Sequence, residues 1–152
     1  MITYGIEQYS EELVEAIKPL LERHYQEVAL HKEHIPLAPD WARYKKLADA
    51  NALLIVGARD NGQLVGYCVF FVSTMVHYMT TVSASNDVIY LAPEYRQGMA
   101  GVRLMKLAET ALKQRGVTKV LWHIKFAKDF RKILYRMGYV DEDAIVGKIL
   151  KD

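Results

Sequence analysis

The stretch whose reading decides the fold is residues 88–116, VIYLAPEYRQGMAGVRLMKLAETALKQRG. It opens as an apolar strand-like run, turns, and continues as a helix carrying Leu104, Leu107, Ala108, Ala111 and Leu112 on one face. Gly116 stops that helix. The joint is Arg96, Gln97, Gly98, Met99, Ala100 and Gly101. Residues this small start helices poorly, so the joint needs a reason. A helix begins with N–H groups that have no partner inside it, at the positive end of its dipole. Gly98, Ala100 and Gly101 would let a ligand reach those groups, and Arg96 adds a full positive charge. The joint therefore reads either as a phosphate or pyrophosphate site or as a tight turn that needs small residues for packing. It is not a mononucleotide P-loop, because no Gly-Lys-Ser/Thr follows. Nor are its glycines spaced as in the dinucleotide fingerprint.

Outward from the joint, the pattern extends over the whole chain. Residues 3–6 read as a first strand, and Ser10 as the cap of a helix with Glu11 and Glu12 in its first turn. Leu13, Val14, Ile17, Leu20, Leu21 and Val28 form its apolar stripe, and Pro19 predicts a kink or break near Lys18. HKEHIPLAPD reads as a loop, and Asp40 caps a second helix facing inward through Trp41, Tyr44, Leu47 and Ala48. ALLIVGA and LVGYCVFFVSTMV are strands joined by an Asn61-Gly62 hairpin turn. A looser turn is expected within HYMTTVSAS, then a strand over residues 87–91. After the central helix come a strand KVLWHI, a helix burying Phe130, Ile133, Leu134 and Met137 up to Gly138, and a closing strand AIVGKIL. Strand-helix-strand in the second half implies a right-handed parallel crossover, and the hairpins imply antiparallel neighbours. The expected class is α/β (α+β), one domain over residues 1–152, with a mixed sheet covered by helices on both faces.

Composition narrows the class further. The chain has 152 residues, 51% hydrophobic and 25% charged, with net charge +2, as in an ordinary globular domain. That charge is too mild to argue for nucleic acid. The single cysteine, Cys68, excludes a disulfide framework within the chain. The first fifteen residues lack the basic and apolar regions of a signal peptide, and no apolar run approaches the ~18 residues of a membrane span. These features lead to an expectation of a cytoplasmic protein with no membrane contact; self-association as a homodimer stays open.

LAPEYRQGMAGVRLMKLAE resembles the acyl-CoA pyrophosphate loop of the GNAT superfamily of N-acetyltransferases, with Arg96 and Gly101 at its first and last positions and Met99 where a glycine is usual. ILYRMGY resembles the family's closing helix-to-strand signature, with Tyr135 at its tyrosine position. HYMTTVSASNDVIYLAPEYR is similar to GNAT proteins encoded by tailed bacteriophages. The resemblance implies acetyl-CoA as cosubstrate and a largely antiparallel sheet with a splayed parallel pair at the cofactor cleft. It implies that the backbone of Val88, Ile89, Tyr90 and Leu91 receives the pantetheine arm. It puts Lys128 where the family's pantetheine-touching asparagine stands, and makes Tyr135 the proton donor to the leaving thiolate.

The residues themselves offer two candidates for the base that removes the amine proton. Asp87 begins the strand leading into the loop, and His123 lies on the strand KVLWHI expected beside it. His24, His31 and His34 lack the partners and spacing of a metal set. His77 and Tyr78, with residues 25–50 and 78–85, are expected to line the acceptor side. The function expected is transfer of an acetyl group to a primary amine; the competing reading is a catalytically silent GNAT-fold module that binds acyl-CoA or a protein partner.

Overall fold

The computed structural model describes residues 1–151. The chain runs β1 (Ile2–Glu7), α1 (Glu11–Val28), α2 (Trp41–Asp49), β2 (Leu53–Asp60), β3 (Gln63–Met75), β4 (Tyr78–Leu91), α3 (Ala100–Gln114), β5 (Lys119–Leu121) and α4 (Arg131–Arg136), with one-turn 3-10 helices at Pro93–Tyr95 and Phe126–Lys128. Sheet order equals chain order. β1 to β4 are antiparallel neighbours, and β5 lies parallel to β4. The mixed, mostly antiparallel sheet expected from the hairpins and the crossover is the sheet observed.

The period-2 alternation of β2 and β3 divides the core in two. Leu54, Val56, Cys68 and Phe70 face α3, where Leu104, Ala108 and Leu112 cover them. Leu53, Ile55, Tyr67 and Val69 face the other way, toward Leu13, Ile17 and Leu20 of α1 and the partly buried Trp41 and Tyr44 of α2. The local signals work as expected. The Ser10 hydroxyl accepts from the Leu13 N–H and the Asp40 carboxylate from the Arg43 N–H, while Asn61 and Gly62 both take positive φ in the hairpin turn.

Four expectations fail. α1 is not broken at Pro19 but runs through it to Val28. Pro19 lies on the exposed face, where water can meet the carbonyl that its missing N–H leaves without a partner. Leu13, Val14, Ile17 and Leu20, buried on either side, keep the helix seated. Second, the turn expected within HYMTTVSAS falls at its very start, at Val76 and His77, and β4 takes up the rest of that segment. Third, KVLWHI keeps only Lys119–Leu121 as strand, because β4 pairs with β5 no farther than Ser85. Fourth, AIVGKIL forms no strand; its β-branched residues favour an extended chain, but it pairs with no strand of the sheet. Among the described residues no helix is long and apolar enough to cross a membrane.

Candidate active site

Two interruptions of the sheet create the site. The first is the end of β5. Ser83, Ala84 and Ser85 pair with Lys119, Val120 and Leu121, and beyond them the strands part. Val88, Ile89, Tyr90 and Leu91 remain bonded to Val69, Cys68, Tyr67 and Gly66 on one side, while no strand lies on the other. Asn86 stands at the parting point. Its side chain accepts from the His123 N–H at 2.5 Å and lies 3.4 Å from the His123 carbonyl, to which its amide N–H donates. One amide side chain thus spans the mouth of the opening.

The second interruption is a bulge. Val69 faces Val88 and Phe70 faces Asn86, so Asp87 is the extra residue of β4. The bulge reverses the alternation. Ala84 packs toward α3 and Val88 toward α1, although they are four residues apart. Asp87 is turned to the α1 and α2 side, where the Tyr44 hydroxyl donates to its Oδ2. Burial pushes the Asp87 carboxyl above its ordinary value, and the Tyr44 hydrogen bond opposes that shift. The Tyr44 phenol is pushed up in turn, first by burial and then by the carboxylate.

Behind Asp87 is a cavity of about 30 Å³, lined by Leu13, Ile17, Trp41, Tyr44 and Tyr67, room for about one water. The Tyr67 hydroxyl is buried without a partner, as is that of Tyr90, its cross-strand neighbour. On the other side of Tyr44 is an open groove of about 450 Å³ lined by Pro39, Arg43, Leu47, Phe71 and Ser73, a volume suited to a small molecule. His77 and Tyr78 do not border either space. They sit at the other end of β4, on the order of 30 Å of strand from Asp87.

The α3 joint answers the question its sequence raised. Gly98 has φ +56°, which favours glycine. Met99 caps α3 without a side-chain hydrogen bond. Among the described residues the N–H groups of Gly98, Met99, Gly101 and Val102 have no backbone acceptor. A Cβ at Gly101 would meet only the Met105 methyl, at 3.9 Å. Packing therefore does not require glycine at 101, and room over the helix N-terminus is the reason that remains.

Arg96 is less free than the sequence suggests. Its Nε donates to the Leu91 carbonyl at 2.6 Å, and its two terminal nitrogens hold the Glu27 carboxylate at 2.5 and 2.8 Å. Lys128 reaches the same carboxylate at 2.9 Å. Those cations, Arg96 above all, hold Glu27 down to about 2. The Arg96 guanidinium also lies over the Tyr90 ring, which tilts against His24. Burial pushes the His24 imidazole down, so it is neutral near pH 7.

Tyr135 is exposed on α4, as its place on the polar helix face implies. Its hydroxyl lies 2.8 Å from both oxygens of Asp141, which raises the phenol above its ordinary value. No hydrogen bond links it to Asp87 or His123 among the described residues. His123 is exposed, and its backbone rather than its ring engages Asn86. Sequence reasoning placed Tyr44 and Glu27 only within the broad 25–50 acceptor region, Tyr44 also on the inner face of α2, and gave neither a partner; Asn86, which carries no motif, it missed. The one available signal was Asn86 beside Asp87, two short polar residues on an otherwise apolar approach to the loop.

The sequence matches the Acetyltransferase (GNAT) family over residues 14–139. The chain belongs to the GNAT acetyltransferase family. Solved structures agree on the GNAT fold. A ribosomal-protein-alanine N-acetyltransferase from Brucella melitensis biovar Abortus superposes with TM-score 0.71 at 18% identity, covering 100% of both chains. A predicted acetyltransferase with acetyl-CoA from Clostridium acetobutylicum gives 0.73 at 14%, covering 99% of this chain and 97% of the other. An aminoglycoside acetyltransferase from an uncultured soil metagenomic sample, in complex with sisomicin, gives 0.74 at 13%, again covering 99% and 97%. No curated protein matches the sequence at a significant level. In this GNAT domain no group of three or more His, Cys, Asp or Glu side chains gathers among the described residues. Three of its exposed cations are paired, Lys45 with Asp49, Lys128 with Glu27 and Arg131 with Asp129.

Proposed function

We propose that the protein is an acetyl-CoA-dependent N-acetyltransferase acting on a primary amine. The observation that carries this reading is the open side of β4 at Val88, Ile89, Tyr90 and Leu91, leading to free N–H groups at the start of α3. An extended pantetheine arm can bond along the first, and a pyrophosphate suits the second. Lys128 and Arg96 stand near enough to Glu27 to exchange it for phosphate. When bound, acetyl-CoA supplies an activated acyl group; the remaining chemistry belongs to the chain.

Asp87 is the base in this reading. Its raised carboxyl is better matched to taking a proton near neutrality than an ordinary aspartate, and Tyr44, bonded at Oδ2, fixes its orientation. The groove beyond Tyr44 is the acceptor side. Tyr135 protonates the leaving thiolate, its hydroxyl turning from Asp141 to do so. His123 holds the mouth of the cleft through its backbone, leaving proton removal to Asp87.

The competing reading, a GNAT-fold module that binds acyl-CoA or a protein partner without turnover, is favoured by one observation: the Tyr135 hydroxyl is already engaged by Asp141. Release of free thiol from acetyl-CoA over a panel of amines, run beside a calorimetric titration with acetyl-CoA, decides between them. Binding with amine-dependent thiol release supports the enzyme. Binding without release on any amine supports the silent module, and no binding ends both cofactor readings.

A further inference from the structure

The acceptor groove and the base do not touch. Asp87 borders the small cavity, together with Trp41, Tyr44 and Tyr67. It is not part of the groove, whose walls include Pro39, Arg43, Leu47 and Phe71. Among the described residues only Tyr44 borders both spaces. A base has to come within hydrogen-bond reach of the proton it removes. An amine lying in the groove meets Tyr44 before it meets Asp87.

The fold holds Tyr44 in that position. Its ring tilts against Trp41 with centroids 5.6 Å apart and stacks on Phe71 of β3 at 6.3 Å. Phe71 is itself a wall of the groove, and it faces Ser85 in register, two residues before Asp87. The Tyr9 hydroxyl donates to the Trp41 carbonyl at 3.0 Å, which ties the first turn of α2 to the chain just before α1. The Tyr44 hydroxyl donates to Asp87 Oδ2 and has no other hydrogen bond among the described residues. A phenol oxygen accepts as well as donates, so its lone pairs are available to a proton from the groove.

We infer that Tyr44 is a catalytic relay: it takes the amine proton on its oxygen while it gives its own proton to Asp87. The relay presupposes acyl transfer to an amine, as proposed above. The amine nitrogen forms a bond to the acetyl carbonyl carbon and loses its proton to Tyr44. The Tyr44 proton passes to Asp87 Oδ2. The C–S bond breaks, and the leaving thiolate takes its proton from Tyr135. Asp87 then loses one proton to water and Tyr135 regains one, so both return to their starting states.

The two transfers through Tyr44 occur together. Burial, and then the Asp87 carboxylate, push its phenol up, so a free phenolate is a poor stopping point. Burial also raises the Asp87 carboxyl, which suits it to receive the proton. Other titratable and charged groups face the pair from both sides. Tyr67 of β3 and Tyr9 face it from the cavity, and Asp40 and Arg43 from the groove. Asp40 is engaged by the Arg43 N–H as the cap of α2. The α1 and β2 residues that line the cavity are all aliphatic.

Thiol release from acetyl-CoA by the full chain, over a panel of amines, is read first. No release with any amine ends the acyl-transfer reading and the relay with it. With an amine that the parent protein acetylates, Tyr44→Phe should still fold by circular dichroism and lose about 10²–10⁴-fold in kcat, with KM nearly held. Release at the parent rate in Tyr44→Phe ends the relay alone. A residue that merely orients Asp87 would also cost rate, so a second readout separates the two roles. In mixtures of light and heavy water, the single-turnover rate of the parent protein should fall along a curve, because two protons move in one step. A straight line means one proton in flight, and Tyr44 is then no relay. This measurement needs no variant, so it stands even if Tyr44→Phe is unstable. A third readout needs no turnover. The Asp87 carboxyl, followed by carbon NMR without acetyl-CoA, should titrate at higher pH in Tyr44→Phe, because the hydrogen bond that holds it down is gone. An unchanged titration means that the two side chains do not meet in solution, and the relay fails.

Discussion

β4 is left without a β5 partner at both ends, and the two ends have opposite characters. At Asp87 and beyond, the open backbone is bordered by a half-buried carboxylate, a tyrosine aimed at it and an amide clasp. At Tyr78 to Thr81 the strand is bordered by exposed methionine, valine and tyrosine. The same interruption becomes a candidate reaction cleft at one end and an exposed apolar surface at the other. A missing partner strand alone does not make a site. Polar groups that a bulge turns inward and holds in a fixed relation do.

The comparison breaks most sharply at Asp87. Asp87→Asn should leave acetyl-CoA affinity nearly unchanged and lower the acyl-transfer rate by about 10²–10⁴-fold. Because burial raises the Asp87 carboxyl, the acid limb of kcat/KM should lie above the ~3.9 of an ordinary aspartate, activity rising with pH through it. A rate unaffected by Asp87→Asn but abolished by His123→Ala in a folded protein would exchange their roles. Tyr135→Phe should fold and bind acetyl-CoA, with a loss of similar size in kcat rather than KM. The exposed hydroxyl leaves no buried partner behind, so stability should hardly change. Full activity in Tyr135→Phe would leave the proton donor to water or another tyrosine.

Glu27 comes next. Its carboxyl is held at about 2 in the folded protein against an ordinary 4.5. A depressed carboxylate stabilises the fold above its unfolded pKa, and that stability drains as pH falls through 4.5 toward 2. The amount is on the order of 3 kcal/mol. Urea unfolding at pH 7 and at pH 3 should show about 2 kcal/mol of this loss in the parent protein and a smaller one in Glu27→Gln. Equal losses in both would place the acid sensitivity elsewhere.

A smaller effect is expected at the clasp. Asn86→Ala removes both hydrogen bonds to His123 and should cost about 1–2 kcal/mol, read as a lower denaturation midpoint. The smallest is at the other end of the strand, where Val76 is fully exposed and Val76→Asp should shift stability by less than about 0.5 kcal/mol. If Val76→Asp unfolds the protein as readily as Asn86→Ala, the two ends of the sheet are not as different as their burial indicates.

Much of the fold was legible because its signals are local. Ser10, Asp40, the Asn61-Gly62 turn and Gly116 each act within a few residues, and the structure uses all four where the sequence put them. The α3 joint was legible as a question; the space above Gly101 supplied the answer. The bulge at Asp87 was not legible, because a two-for-one count exists only between two strands. Glu27 was hidden for a similar reason, since the cations that hold it lie 69 and 101 residues further along the chain.

The sequence by itself determined where the helices are capped, where the first three strands run, which faces are apolar, and that a small-residue joint opens a helix behind a strand. These follow from capping, periodicity and turn chemistry, whose energies depend on neighbours a few residues away. Only the tertiary structure decided that α1 continues through Pro19, that Asp87 turns toward Tyr44, and that AIVGKIL is left without a partner. Each of these depends on a surface supplied from elsewhere in the fold, and a strand-forming segment becomes a strand only when an edge is there to receive its hydrogen bonds.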